Sequence, residues 1–203
     1  MPTDHDRFDI LFVCTGNICR SPMGELLLRQ ELHARLGPAA ERFRVHSAGT
    51  HGLEGFGIDR LAGACMTSAG VDAQPFRARA LTAEMVDHAD LVLGATRRHR
   101  AAAVTAIPGA SARCFTLLEL ARLVREVAEE SLPQGDLVAR AHALVAAAAA
   151  RRGFTFVPVG EEDIDDPYGG DAAEFRVCAG IIAEALRPVV DALCGQPAEE
   201  VTA

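Results

Sequence analysis

The chain has 203 residues, 49% of them hydrophobic and 24% charged, with a net charge of −8. The length fits one domain at about 150 residues per domain, and the composition is that of a globular protein able to bury its own core. The acidic balance argues against a nucleic-acid backbone binder, which usually carries a basic face. All 20 basic residues are arginine, which excludes lysine Schiff bases and Walker-type loops. The first seven residues are polar, and the apolar run behind them is too short for a leader core. The longest apolar stretch, 143–150, falls well short of the ~20 residues a membrane span needs. A soluble, cytoplasmic protein with reduced thiols and no membrane insertion is the expectation. The six cysteines contain no C-x-x-C pair, so no zinc ribbon or thioredoxin-type motif is indicated.

In chain order, Phe8–Val13 reads as a buried strand that runs into a Cys-Thr-Gly turn. Ser21-Pro22 opens a helix that Gly37-Pro38 closes, with Ser21 read as N-cap, Pro22 as first residue and Glu25 as an early acidic signal. A second strand is predicted over Phe43–Ser47, then a loop with four glycines between Gly49 and Gly57, then a helix over Asp59–Gly70. Ala89–Leu93 and Ala112–Thr116 read as further strands, separated by a helix over Thr96–Ala106. Leu117–Glu130, Asp136–Arg152 and Ala172–Leu193 are helical in pattern, and Val157–Asp171 is an acidic loop. Strands alternating with helices imply βαβ units: an α/β fold with a four-stranded parallel sheet covered by helices on both faces, Rossmann-like. No internal repeat or linker breaks it, so a single domain over 1–203 is expected, with its core at about 8–195 and a tail at 196–203.

The chemistry concentrates at the end of the first strand. Cys14-Thr-Gly-Asn-Ile-Cys-Arg20-Ser21-Pro22 lies between strand and helix, where parallel sheets bind ligands and helix N-termini present N–H groups to anions. A cysteine there is held toward its reactive thiolate. Arg20 can fold back as a bidentate donor to phosphate oxygens, and Gly16 permits close backbone approach. The reading is a nucleophilic Cys14 attacking phosphorus in an oxyanion cradle. The alternative is a buried, inert cysteine at a strand end. Protonation of a leaving oxygen calls for a loop carboxylate, and Asp163, Asp165 and Asp166 share one acidic loop. Asp166 precedes Pro167, which restrains it to extended backbone. The plainer reading of that loop is a solvated acidic surface.

The segment Val13–Pro22 resembles the phosphate-binding loop of low-molecular-weight protein tyrosine phosphatases. Asp166-Pro167-Tyr168 resembles that family's late acid loop, Ser47-Ala48-Gly49-Thr50 its second loop, and Asp59 a further pattern position. The resemblance implies that Cys14 attacks phosphate, Asp166 protonates the leaving phenol oxygen and then activates water, and Arg20 with the amides of Thr15, Gly16, Asn17, Ile18 and Cys19 holds the oxygens. It implies that Ser21 stabilises the Cys14 thiolate, that Asn17 and Ser47 support the loop, that Leu53 and Tyr168 form the substrate rim, and that Cys19 can pair with Cys14 on oxidation. The implied partner is a phosphotyrosine protein; no cofactor and no metal are implied, and the oligomeric state is left open. Two rival functions share features of this pattern: a thioredoxin-coupled arsenate reductase and an inactive phosphoprotein-binding module. The first needs further cysteines after the third strand, and residues 94–113 hold none. The second needs neither the cysteine nor the acid. Cys65, Cys114, Cys178 and Cys194 read as core residues, the seven histidines as surface or packing, and Arg97, Arg98 and Arg100 as a solvated helix face. The stretch 121–153 is longer than this family usually carries.

Overall fold

The computed structural model describes residues 7–154, 157–158 and 160–195. The tail proposed from 196 onward lies outside the described residues. Four strands, β1 (Phe8–Cys14), β2 (Phe43–Gly49), β3 (Leu91–Gly94) and β4 (Cys114–Thr116), form one parallel sheet in the order β2-β1-β3-β4. Seven α-helices connect and cover them: α1 (Arg20–Leu36), α2 (Arg60–Ser68), α3 (Ala83–His88), α4 (Arg97–Ala106), α5 (Leu117–Val124), α6 (Leu137–Ala150) and α7 (Ala172–Cys194).

The alternation of side chains along β1 explains the two layers. Phe8, Ile10 and Phe12 face one core with Phe115 and the buried sides of α1, α5, α6 and α7. Leu11 and Val13 face a smaller core with Val92, Cys114, Val86 of α3 and Ala103 of α4. All seven β1 residues are buried, as expected of a central parallel strand. From β1 the chain crosses through α1 to β2 on one side, then returns to β3 on the other. That reversal opens a crevice at the carboxyl end of β1, the usual ligand position of an open α/β sheet.

Several boundaries differ from the sequence pattern, for local reasons. Helix α1 begins at Arg20, and its N-cap residue, Cys19, makes no side-chain cap bond. Ser21 is therefore not a cap, and Glu25 lies buried beyond the first turn. The six-residue α3, capped by Thr82, is too short to show a helical period. The helix expected over Leu117–Glu130 ends at Val124 and is followed by a short 3₁₀ turn at Glu129–Ser131. The last strand starts at Cys114, because Pro108–Arg113 forms a 3₁₀ turn instead. No helix among the described residues is long and apolar enough to cross a membrane.

Candidate active site

Cys14 is the last residue of β1, and the loop from Thr15 to Cys19 leads directly into α1. The loop is shaped by the segment after β2. The carbonyls of Cys14, Thr15, Gly16 and Ile18 accept the N–H groups of Thr50, His51, Leu53 and Asp59, at 2.9, 2.9, 3.0 and 2.8 Å. Those carbonyls are thereby turned outward. The N–H groups of Thr15 to Cys19 meet no acceptor among the described residues. Thr15, Gly16, Ile18 and Cys19 of this loop line one cavity, and the N-terminus of α1 stands behind them, an arrangement suited to an anion. The glycine that this contact requires is Gly49, where an added Cβ would strike the Thr15 carbonyl and the Asn17 N–H. At Gly16 the same addition would meet only side chains, the nearest at 3.4 Å. Gly49 thus serves the packing of the two segments, a role separate from the approach to an anion read at Gly16.

A buried chain of polar groups fixes the nucleophile's surroundings. Glu25 Oε2 accepts the Ser47 hydroxyl at 2.6 Å. Ser47 Oγ accepts one Asn17 amide hydrogen at 2.8 Å, and Ser21 Oγ accepts the other at 2.8 Å. Ser21 Oγ keeps its own hydrogen, and Cys14 Sγ stands 3.0 Å away, so a Cys14 thiolate would accept that hydrogen. The more distant Ala48 carbonyl, at 3.4 Å, is the poorer acceptor. Asn17 Oδ1 also accepts the Arg79 N–H at 2.9 Å. These bonds hold Asn17 at φ 55°, the only described non-glycine residue with positive φ. Ser21, read as a helix cap, thus points to the thiol. Glu25, read as a helix-start signal, anchors Ser47, and its part in the loop escaped sequence reasoning because it joins through tertiary contact.

Arg20 is buried and joins the loop to the acidic segment. Its Nη1 donates to the Ile164 carbonyl at 3.0 Å, and its Nη2 pairs with Asp166 Oδ2. The three candidate carboxylates separate clearly. Asp163 accepts the N–H of Arg97 at 2.6 Å, next to the N-cap of α4. Asp165 is exposed, and only its carbonyl faces inward, toward Cys178. Asp166 alone lines the cavity above Cys14, its carboxyl half-exposed. The loop is pinned by Ile164 N–H to the Ala95 carbonyl at 2.8 Å, and by Glu162, which pairs with Arg97 and Arg122. Arg100 pairs with the buried Glu119. Of the arginines read as a solvated helix face, only Arg98 is exposed; Arg97 and Arg100 hold the scaffold.

The cavity measures about 320 Å³, with Cys14, Cys19 and Arg20 among its walls. Ile18, Leu53 and Tyr168 supply apolar lining, and the last two are well exposed at its mouth. His51 also lines it and was not singled out from sequence; its one signal is its place directly after Ser-Ala-Gly-Thr. Burial, reinforced by Asp59, pushes the Cys19 thiol far above its ordinary range. Of the other cysteines, Cys114 and Cys178 are buried, while Cys65 and Cys194 are half-buried. Two histidines depart from plain surface or packing roles. His46 pairs with Asp9 at 2.5 Å in the sheet, and His99 lies under the phosphate-binding loop, bonded to Thr15 and Thr96.

A strand-to-helix loop with a cysteine at its head, converging amides, an arginine and a facing aspartate defines the site type of a cysteine-dependent phosphatase. The profile of the family "Low molecular weight phosphotyrosine protein phosphatase" matches residues 9–132, and the chain belongs to this family. Over 188 residues it is 30% identical to low molecular weight protein-tyrosine phosphatase A of Mycobacterium bovis, covering 89% of this chain and 88% of that protein. It is 38% identical to the phosphatase Ptp of Acinetobacter johnsonii over 109 residues, covering 54% of this chain and 71% of the relative. With Etp of Escherichia coli the identity is 45% over 98 residues, so there the chain spans 60% of the relative. Among solved structures, the YwlE arginine phosphatase of Geobacillus stearothermophilus superposes with a TM-score of 0.64 at 27% identity, covering 91% of each chain. The tyrosine phosphatase AmsI of Erwinia amylovora, at 24% identity and a TM-score of 0.63, shares the fold.

Proposed function

We propose that this protein hydrolyses phosphotyrosine in protein substrates through a phosphocysteine intermediate. The observation that carries the reading is the convergence on one cavity of Cys14, bonded by Ser21, with the loop amides, Arg20 and Asp166. Cys14 Sγ attacks phosphorus from within the cradle and the P–O bond to the substrate breaks. Asp166 passes its proton to the leaving phenol oxygen. Water then attacks the S–P bond, Asp166 takes a proton from it, and Cys14 and orthophosphate are regenerated. The loop amides and the Arg20 guanidinium hold the equatorial oxygens as charge moves across them. In doing so Arg20 exchanges its present partner, Asp166, for the phosphate, which frees the carboxyl for proton transfer.

The lining favours an aryl ester. Ile18, Leu53 and Tyr168 flank the approach to Cys14, a surface that suits a phenyl ring. The relatives named as tyrosine phosphatases support the same choice.

The test is hydrolysis of para-nitrophenyl phosphate between pH 5 and 8 with EDTA present, by wild type and Cys14→Ser. Phosphotyrosine and phosphoarginine peptides then compete for the wild type. Metal-independent turnover that Cys14→Ser abolishes is the expected result. Turnover that survives the substitution removes the cysteine mechanism, and preference for phosphoarginine removes the tyrosine assignment.

A further inference from the structure

His99 is buried to 4% exposure, lies in the first turn of α4, and plays no part in the route above. It comes against the loop because Gly94 ends β3: a Cβ there would meet the backbone of Thr96 and Arg100 and the His99 Cβ. Its ring is held from both sides by hydroxyls, with Nδ1 at 2.9 Å from Thr96 Oγ1 and Nε2 at 3.0 Å from Thr15 Oγ1. Each hydroxyl can donate one hydrogen and accept two, and the tautomer that matters for the loop is the one with the ring hydrogen on Nε2. Thr96 Oγ1 accepts the His99 backbone N–H at 3.4 Å. Its other partner among the described residues is Nδ1, which can take the Thr96 hydrogen when the ring carries its own hydrogen on Nε2. In that tautomer the ring hydrogen is donated to Thr15 Oγ1. That oxygen also accepts from Arg20 Nη2, at 3.5 Å.

Both lone pairs of Thr15 Oγ1 are thereby engaged. Its one hydrogen has to leave in the remaining direction, and Thr15 is exposed on the wall of the cavity that holds Cys14. We propose that His99 is a positioning residue that, together with Arg20, turns the Thr15 hydroxyl into a further phosphate donor, aimed at an oxygen of the phosphate bound over Cys14. The loop amides alone are indifferent to side-chain identity at position 15. This device gives the side chain a role and reaches it through a residue 84 positions away.

The arrangement requires a neutral ring. Burial, reinforced by the Arg20 guanidinium and to a lesser extent by Arg98, pushes His99 down to about 4 against the opposing pull of Asp166 and Asp163. The ring is therefore uncharged at neutral pH, as an acceptor Nδ1 needs.

The inference rests on the phosphatase reading, and the experiment separates the two. Steady-state hydrolysis of para-nitrophenyl phosphate is measured beside orthophosphate binding by calorimetry, for Thr15→Val, Thr15→Ser, His99→Asn, His99→Gln and the Thr15→Val/His99→Asn double variant. A hydrogen bond to a charged group supports a loss of about tenfold. Thr15→Val and His99→Asn should each lower kcat/KM and orthophosphate affinity by about that factor. Asn retains a group at the Nδ1 position and none at Nε2, whereas Gln restores an N–H at Nε2, so His99→Gln and Thr15→Ser should stay within about threefold of wild type. The double variant should be no worse than Thr15→Val alone. Multiplying losses, or Thr15→Val binding orthophosphate as tightly as wild type, overturns the proposal. Thr15 is exposed, so its variants keep the test intact even where a His99 variant unfolds. A wild type without turnover would remove the phosphatase reading and leave the hydroxyl to be judged on orthophosphate binding.

Discussion

Acid should loosen this fold through His99, and the size of the effect follows from its surroundings. The ring titrates near 6.5 in an unfolded chain and is pushed down to about 4 in the fold, first by burial and then by Arg20. Between those two values the unfolded chain binds a proton that the folded chain refuses. Stability then rises with pH across the window and is lost as the pH falls from about 6.5 toward 4. At 1.36 kcal/mol per unit the full loss is about 3 kcal/mol, with about 2 kcal/mol gone by pH 5. For a chain of this length that corresponds to a fall of about 4–8 °C in Tm at pH 5. The assay is urea unfolding followed by far-ultraviolet circular dichroism at pH 7 and pH 5, in wild type and His99→Gln. Gln cannot take the proton, so the variant should lose less stability between the two pH values, by about 2 kcal/mol. The remaining histidines and carboxylates are common to both proteins and cancel in the comparison. Equal losses in the two proteins would falsify the placement of His99 as a buried, neutral ring.

Three further outcomes are expected. Asp166→Asn should slow kcat by about 10²–10⁴, the range of general acid catalysis, while Asp165→Asn leaves it nearly unchanged; equal losses in steady-state assays would return the acid to an unassigned member of the loop. Ser47→Ala strands one Asn17 amide hydrogen and deprives Glu25 of its donor. It should cost about 1–3 kcal/mol in denaturant unfolding, and an unchanged midpoint would mean that the chain from Glu25 to Cys14 does not support the loop. Mild peroxide should take Cys14 to a sulfenic acid that condenses with the Cys19 thiol, releasing water and forming a disulfide that added thiol reverses. Cys19→Ser should instead progress to irreversible loss, and full thiol rescue of that variant would remove Cys19 from the protective role.

The longer helix-forming and strand-forming segments are legible because their signals are local, whereas the six-residue α3 is too short to show one. Phe8–Val13 is apolar without interruption, as a strand buried on both faces must be. The alternation of such runs with helical ones implies a parallel sheet before any contact is known. The motif from Cys14 to Ser21 was equally readable, since a strand, a turn and a helix N-terminus lie within one short stretch of chain. Pro167 and the family resemblance mark out Asp166 from Asp163 and Asp165 in the sequence, but where each of the three carboxylates goes is not legible there. Only the docking of their loop on Ala95, Arg97 and Arg20 sends one to a helix end, one to solvent and one to the cavity. Nor could sequence find His99, whose neighbour Thr15 is far away in the chain, or Gly49, whose contact with the loop joins two segments distant in sequence. Hydrophobic period and capping chemistry act between near neighbours, so the sequence by itself determined the longer elements, their order and the reactive loop. Hydrogen-bond partners that are distant in sequence exist only once the layers pack. Tertiary structure therefore decided where each carboxylate of the acidic loop goes, that Glu25 anchors the loop through Ser47, and which histidine lies beneath the phosphate-binding loop.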